Sequence, residues 1–281
     1  MDVAIGLPNA VPGTGGKELV EWARRAEARG FSSLGTIDRV AYDNYEPTIA
    51  LAAAAAVTDR IGLSTSVLLG PLRPNAAELA KRSLSLQALS GGRFTLGIGL
   101  GGREDDYAVS GVEMNGRGEA LEAMLRRIRE IWEGEEVGPR VAEPPRLLVG
   151  GGVDASFERA ARYGDGWIAG GSGPEVFADA AAKVRARWSD ARREGRPRLA
   201  GLAYFSLGGD GGAEAAAYLG DYYAWLGEEI AGMIAASAAN DAETVQGYLS
   251  AYEKSGCDEL IFFPSSADPA QVDLLADAAG L

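Results

Sequence analysis

Phe94-Thr95-Leu96-Gly97-Ile98-Gly99-Leu100-Gly101-Gly102-Arg103-Glu104-Asp105-Asp106 is the stretch that decides the fold class of this chain. An apolar strand runs into a glycine-rich turn, and Gly97, Gly99 and Gly102 meet the spacing of a dinucleotide-binding fingerprint. That fingerprint also needs a helix to open at once, so that its N-terminus meets a pyrophosphate. Here a charged segment and Gly111 follow, and helical periodicity resumes only near Arg117, so an open dinucleotide-binding sheet is rejected. The glycines then either leave room for a flat ligand at the strand end or pack a barrel rim.

On either side of this stretch, short apolar runs flanked by Gly or Pro mark strands beginning near Val3, Leu34, Ile61, Phe94, Arg146, Gly166, Leu199 and Glu259. Helical spacing fills the gaps. Leu19, Trp22, Ala23 and Ala26 share one face of a helix over 17–29 that Gly30 terminates. Leu121, Met124, Leu125, Ile128 and Trp132 repeat that pattern up to Gly134. Asn240 with Glu243 resembles a capping box, and Asp268-Pro269 supplies the start of a last helix. Strand and helix alternate throughout, so the expected architecture is an α/β closed (β/α)8 TIM barrel over residues 1–281 as one domain, with insertions after strands 4 and 7.

Composition removes whole classes of chemistry. With 47% hydrophobic and 24% charged residues the chain is an ordinary globular protein, and a net charge of −13 is the wrong sign for a nucleic-acid partner. There is no His and one Cys, which excludes serine triads, HExxH zinc sites, zinc-thiolate sites and intrachain disulfides; no metal site is expected. Gly171-Ser172-Gly173-Pro174 departs from a nucleophile elbow as well. No apolar run reaches the ~18 residues of a membrane span and no signal peptide opens the chain, so a cytoplasmic protein without a membrane partner is expected.

Two turns have the chemistry of an anion site. Gly150-Gly151-Gly152 follows Leu147-Leu148-Val149 and precedes a helix with Asp154 as its expected N-cap. Ala169-Gly170-Gly171-Ser172-Gly173 follows the next strand, with Pro174 placed to open a helix. Free N–H groups and helix dipoles there suit a phosphate. Asp38 and Arg39 end the second strand and so reach the catalytic face of a barrel, either as a loop ion pair or as ligand contacts. Glu104, Asp105 and Asp106 read as a solvated acidic loop, with Tyr107 available to cover a ligand ring.

The run Ile61-Gly62-Leu63-Ser64-Thr65-Ser66-Val67 through Arg73-Pro74, continued by Leu89-Ser90-Gly91-Gly92-Arg93-Phe94, resembles the bacterial luciferase-like monooxygenases. So do Ala160-Ala161-Arg162-Tyr163-Gly164-Asp165-Gly166-Trp167 and the tail Gly256-Cys257-Asp258-Glu259-Leu260. The resemblance implies a usually dimeric (β/α)8 barrel that binds FMN or the deazaflavin F420 at its C-terminal mouth and oxidises or reduces a small organic substrate. It implies a non-prolyl cis peptide at Ser66-Val67 behind the coenzyme ring. Gly99 and Asp105 would lie at the ring, and Gly150, Gly151, Gly152, Ala169 and Gly170 on the phosphate and ribityl side. On this reading Asp38 orients substrate or accepts a proton, Arg39 pairs with an anionic group, and Tyr42 and Tyr107 wall the substrate pocket.

The chain departs from the pattern at Asp38-Arg39, where many F420 members carry Asp-His, and it is shorter between the seventh and eighth strands, which implies a more open mouth. A homodimer and a separate flavin or F420 reductase are the expected partners. Two rival readings are a non-catalytic flavin-binding or partner subunit of the same fold and a barrel enzyme that binds a sugar phosphate on the two glycine-rich turns.

Overall fold

The computed structural model describes residues 1–281. The first half of the chain runs β1 (Asp2–Gly6), α1 (Gly16–Arg29), β2 (Ser33–Thr36), α2 (Pro47–Ala55), β3 (Gly62–Thr65), β4 (Leu68–Leu69) and α3 (Ala76–Leu89). There follow β5 (Phe94–Gly99), α4 (Glu104–Ser110), α5 (Arg117–Glu133), β6 (Arg146–Gly150), α6 (Asp154–Tyr163), β7 (Gly166–Ile168) and α7 (Pro174–Asp190). The last part is β8 (Arg198–Phe205), α8 (Gly211–Tyr222), α9 (Glu228–Ala236), α10 (Ala242–Lys254), β9 (Glu259–Pro264) and α11 (Ala270–Ala279).

All the strand pairings are parallel, and the sheet closes on itself through β3 and β5 at Leu63↔Phe94 and Ser64↔Thr95. The third stave is broken into β3 and β4 around Ser66 and Val67, whose peptide bond is cis. Eight staves therefore make the expected (β/α)8 barrel. The extra helices lie after the fourth stave, as α4, and after the seventh, as α8 and α9.

Side chains alternate between two cores, as strand pleating demands. On β9, Leu260 and Phe262 face the helices, whereas Ile261 and Phe263 face the barrel interior with Ala4, Leu148, Ile168, Ala200 and Leu202. The Phe263 ring sets what its neighbours can be: a Cβ at Gly6 would lie 2.2 Å from it. Helix ends follow local rules too. Gly30 ends α1 in the left-handed region at φ 87°, where glycine carries no Cβ penalty.

Three expectations are corrected. A helix does open soon after the glycine-rich turn, since α4 begins at Glu104; its three acidic residues sit where the helix dipole favours them, but it is only seven residues long and Gly111 stops it. The barrel is established by sheet closure, not by the absence of that helix. The residue capping α10 is Asp241, which accepts from the Thr244 N–H, in place of Asn240. At α6 the cap is Val153, whose N–H is received by Ser156 Oγ, and Asp154 is already helical.

Arg93 of the Leu-Ser-Gly-Gly-Arg-Phe run donates to the carbonyls of Ser90, Ile61, Thr58 and Ala55, pinning the α2–β3 connection. Glu27 holds the same connection by accepting the backbone N–H groups of Asp59, Arg60 and Ile61 at 2.9, 2.6 and 2.9 Å. Partial burial pushes its carboxyl up, but the Ile61, Arg60 and Asp59 hydrogen bonds outweigh that and hold it below the usual range. A depressed carboxylate pKa stabilises the fold above the unfolded value of about 4.3, and the gain disappears as pH falls through the folded value. Glu27→Gln is therefore expected to cost about 1 kcal/mol at neutral pH, limited by the group's exposure. In urea melts the gap between variant and parent should close on acidification; a pH-independent gap contradicts the assignment.

Candidate active site

The C-terminal ends of the staves form one rim, and Val67 is its floor between β5 and β6. A Cβ added at Gly99 or at Gly150 would lie 2.8 Å from a Val67 methyl, so both flanking strands need glycine for the backbone to come this close. Beside it the Ser66 hydroxyl is buried without a partner, one of the few buried polar side-chain groups left unpaired in the protein.

Two turns rise from this floor, from β6 into α6 and from β7 into α7. The N–H groups of Gly151, Gly152, Gly170 and Gly171 make no hydrogen bond within the protein. Trp167 of the Gly-Asp-Gly-Trp run explains part of the arrangement, since its indole Nε1 donates to the Gly151 carbonyl at 2.7 Å and fixes that peptide. Gly152 and Gly170 are exposed, with nothing within 4 Å of where a Cβ would stand. A cavity of about 250 Å³ adjoins the second turn, lined by Gly171, Leu202, Tyr204, Ile230 and Met233. Unengaged N–H groups beside an apolar wall suit a ligand with an anionic or hydroxylated tail and a flat body.

The strand-2 pair does something other than expected. Asp38 is buried and receives Arg73 Nη1 at 2.6 Å, Arg73 Nη2 at 3.1 Å and the Leu69 N–H at 2.7 Å. Burial pushes its carboxyl up while Arg73 pulls it down, and none of its partners is a site group. Arg39 is engaged on two of its three nitrogens, with Nε meeting Asp106 Oδ2 at 2.6 Å and Nη2 meeting Asp105 Oδ2 at 2.8 Å, while Nη1 is buried without a partner. The other Asp106 oxygen accepts the N–H groups of Val40 and Ala41. Asp38 and Arg39 thus brace the loops that surround the mouth through ion pairs. Asp105 is engaged by Arg39 and Arg103, and the acidic loop is not uniformly solvated, because Asp106 is 1% exposed.

Tyr107 is corrected as well. Its ring is buried against Leu69 and Leu72, and its hydroxyl donates to the Leu100 carbonyl, so it packs α4 in place and walls no open pocket. Tyr42 is at the mouth: its ring meets Tyr222 edge-on at 5.3 Å, and its hydroxyl donates to Asp221 at 3.0 Å.

Nor is the mouth more open for a shortened connection. Tyr218, Leu219 and Tyr222 of α8 join the barrel-interior residues Leu202, Tyr204, Ile261 and Phe263 in one buried cluster. Arg103 ties this cover to the β5 loop by donating to the Tyr222 carbonyl and stacking on Trp225 at 5.3 Å. The hydroxyls of Tyr204 and Tyr223 share a 2.7 Å hydrogen bond. Burial pushes both phenols up, Tyr204 well above its ordinary value, so both keep their protons at neutral pH. These residues were not singled out from the sequence, although Tyr218 and Tyr222 at i, i+4 on one helix face were a visible signal.

The opposite, N-terminal end of the barrel holds a cavity of about 570 Å³ lined by Arg93, Arg146, Asp165, Arg198 and Glu259. Arg198 pairs there with Asp2 and Glu259, and Arg129 with Asp165, so this end serves stability.

A barrel floored by Val67 between glycines, with two glycine-rich turns beside it, agrees with the family comparison: residues 1–259 match the luciferase-like monooxygenases. The chain belongs to this family. Its members are flavin- and F420-dependent oxidoreductases. An uncharacterised protein of Mycobacterium tuberculosis (strain ATCC 25618 / H37Rv) is 32% identical over 199 residues, 58% of this chain and 68% of that protein. An F420-dependent glucose-6-phosphate dehydrogenase of Amycolatopsis mediterranei (strain U-32) is 32% identical over 191 residues, 59% of this chain and 57% of the dehydrogenase. Among solved structures, an F420-dependent secondary alcohol dehydrogenase with an F420-acetone adduct superposes with a TM-score of 0.81 at 18% identity, covering 99% of both chains. The monooxygenase RslO1 of Streptomyces bottropensis gives 0.75 at 21% identity, covering 99% of this chain and 98% of its own. At these identities the two structures speak to the fold alone. No helix is long and apolar enough to cross a membrane.

Proposed function

We propose that this chain is an oxidoreductase that holds FMN or F420 at the C-terminal mouth and acts on a small organic substrate. The observation that carries the reading is the set of unengaged N–H groups at Gly151, Gly152, Gly170 and Gly171, on two successive βα turns next to a floor that only glycines at 99 and 150 permit. The residues fit such a group: the Val67 face would back the ring, the unpartnered Ser66 hydroxyl lies beside it, and the two turns would take the ribityl and phosphate part. When bound, the coenzyme supplies the hydride or oxygen chemistry.

The chain's own part is holding, drying and proton supply. Tyr218 and Tyr222 exclude water from the interior side of the mouth, which strengthens electrostatic interactions there. With no His in the chain, the hydrogen-bonded phenols of Tyr204 and Tyr223, both protonated at neutral pH, would be the proton source at the rim. Asp38 and Arg39 keep the loops in register without touching the reacting atoms.

Parallel titration with FMN, reduced FMN and F420, followed by ring fluorescence and absorbance, is expected to give saturable micromolar binding of one of them. F420 selectivity supports hydride transfer, and preference for reduced FMN supports a monooxygenase fed by a reductase. No binding of any of the three overturns the proposal. A non-catalytic coenzyme-binding subunit is the second reading, favoured by the engagement of both Asp38 and Arg39 in ion pairs. Turnover by the isolated chain removes it.

A further inference from the structure

A second cleft opens between α8 and the loops that follow β1, β2 and β9. It has a volume of about 460 Å³, with Val11, Pro12, Tyr42, Tyr218 and Ala267 among its walls. Its charged lining residues are Glu214 and Asp221, and no Lys or Arg lines it. Neither carboxylate takes part in an ion pair. Each receives only a neutral hydroxyl, Ser206 Oγ on Glu214 at 2.6 Å and Tyr42 Oη on Asp221 at 3.0 Å.

The two carboxylates stand seven residues apart on α8, two turns along one face and about 10 Å between Cα atoms. Their partners diverge, one toward the end of β8 and the other toward Tyr42, so one small cation cannot serve both. At the Glu214 end stands Ser265, another lining residue, which is 4% exposed and whose hydroxyl has no partner. Its N–H is bonded to Phe205, the neighbour of Ser206, which places it beside the Glu214 anchor. Carboxylate, hydroxyl and phenol oxygens here all offer lone pairs, so the cleft wants a donor of N–H groups carrying positive charge. No group of three or more acidic side chains is close enough to hold a metal ion, and the space far exceeds one.

We propose that this cleft binds an aliphatic di- or polyamine, with one ammonium at Glu214 and Ser265, the other at Asp221 and Tyr42, and the methylene chain along Val11, Pro12 and Ala217. Its lining shares no residue with Ser66, Val67 or the turns after β6 and β7, so the proposal does not depend on which coenzyme the chain takes.

Calorimetry on the chain as purified tests it with 1,5-diaminopentane and spermidine against pentylamine and pentanol. The diamines are expected to bind at least about tenfold more tightly than pentylamine, and pentanol not measurably. Glu214→Gln and Asp221→Asn should each bring the diamine down to the level of the monoamine. Ser265→Ala, which removes a buried group with no partner and so should leave folding intact, is expected to weaken diamine binding several-fold. Diamine binding no tighter than pentylamine in the parent protein overturns the proposal, whatever the variants do. So does tight diamine binding that Glu214→Gln and Asp221→Asn leave unchanged.

Discussion

Arg39→Ala is expected to lower stability by about 3–5 kcal/mol, because it removes one partner of a buried pair and leaves the other charge uncompensated. The side chains of Arg39 and Asp106 are 2% and 1% exposed, so water cannot replace what the substitution removes. Asp106 is also the acceptor for the Val40 and Ala41 N–H groups, which ties the loop after β2 to the same carboxylate. The damage should therefore spread to Tyr42, which Arg39 overlies at 5.0 Å, and to the α8 cover beyond it. Arg39→Lys keeps the charge but loses the fork that reaches Asp105 and Asp106 together, and should recover only part of the loss. Urea unfolding of the two variants checks this. A loss below about 1 kcal/mol for Arg39→Ala would mean that the pair is solvated like an ordinary surface bridge.

This pair also marks where reading the sequence stops. The strand starts were legible to within about one residue, because a parallel sheet covered on both faces writes its staves as apolar runs between glycines. Helix stops such as Gly30 were legible for a local reason as well. Burial of Asp106 was not, since three consecutive acidic residues look solvated and the compensating guanidinium is 67 residues away. The same holds for Asp38, whose partner Arg73 lies 35 residues on, and for Tyr107, whose ring turns inward under α4. The cover over the mouth was missed for another reason. α9 is short and rich in Ala and Gly, so it carries little amphipathic signal, and its placement depends on α8 meeting the open end of the barrel. The glycines of the site were visible as glycines, but which of them make room for a ligand and which make room for the protein is a question of space.

Gly97→Ala decides that question most sharply. A Cβ there would lie 2.0 Å from the Thr65 carbonyl oxygen and 3.1 Å from its carbon, and this is backbone of the neighbouring stave, which has no rotamer to change. The Thr65 side chain holds the two strands at this distance by donating to the Gly97 carbonyl at 2.7 Å. Parting them would open the barrel at the stave that carries Ser66 and Val67. The expected cost is about 3 kcal/mol or more, at the upper end for overpacking. Gly170→Ala is the opposite case, since nothing lies within 4 Å of its Cβ position, and stability should change by no more than about 0.5 kcal/mol. If the turn receives a coenzyme tail, that same methyl occupies the ligand's space, so binding of FMN or F420 should weaken while the urea midpoint stays put. Gly97→Ala unfolding at the parent's midpoint would show that the staves yield more easily than their geometry implies. Unchanged coenzyme affinity in Gly170→Ala would move the ligand off the second turn.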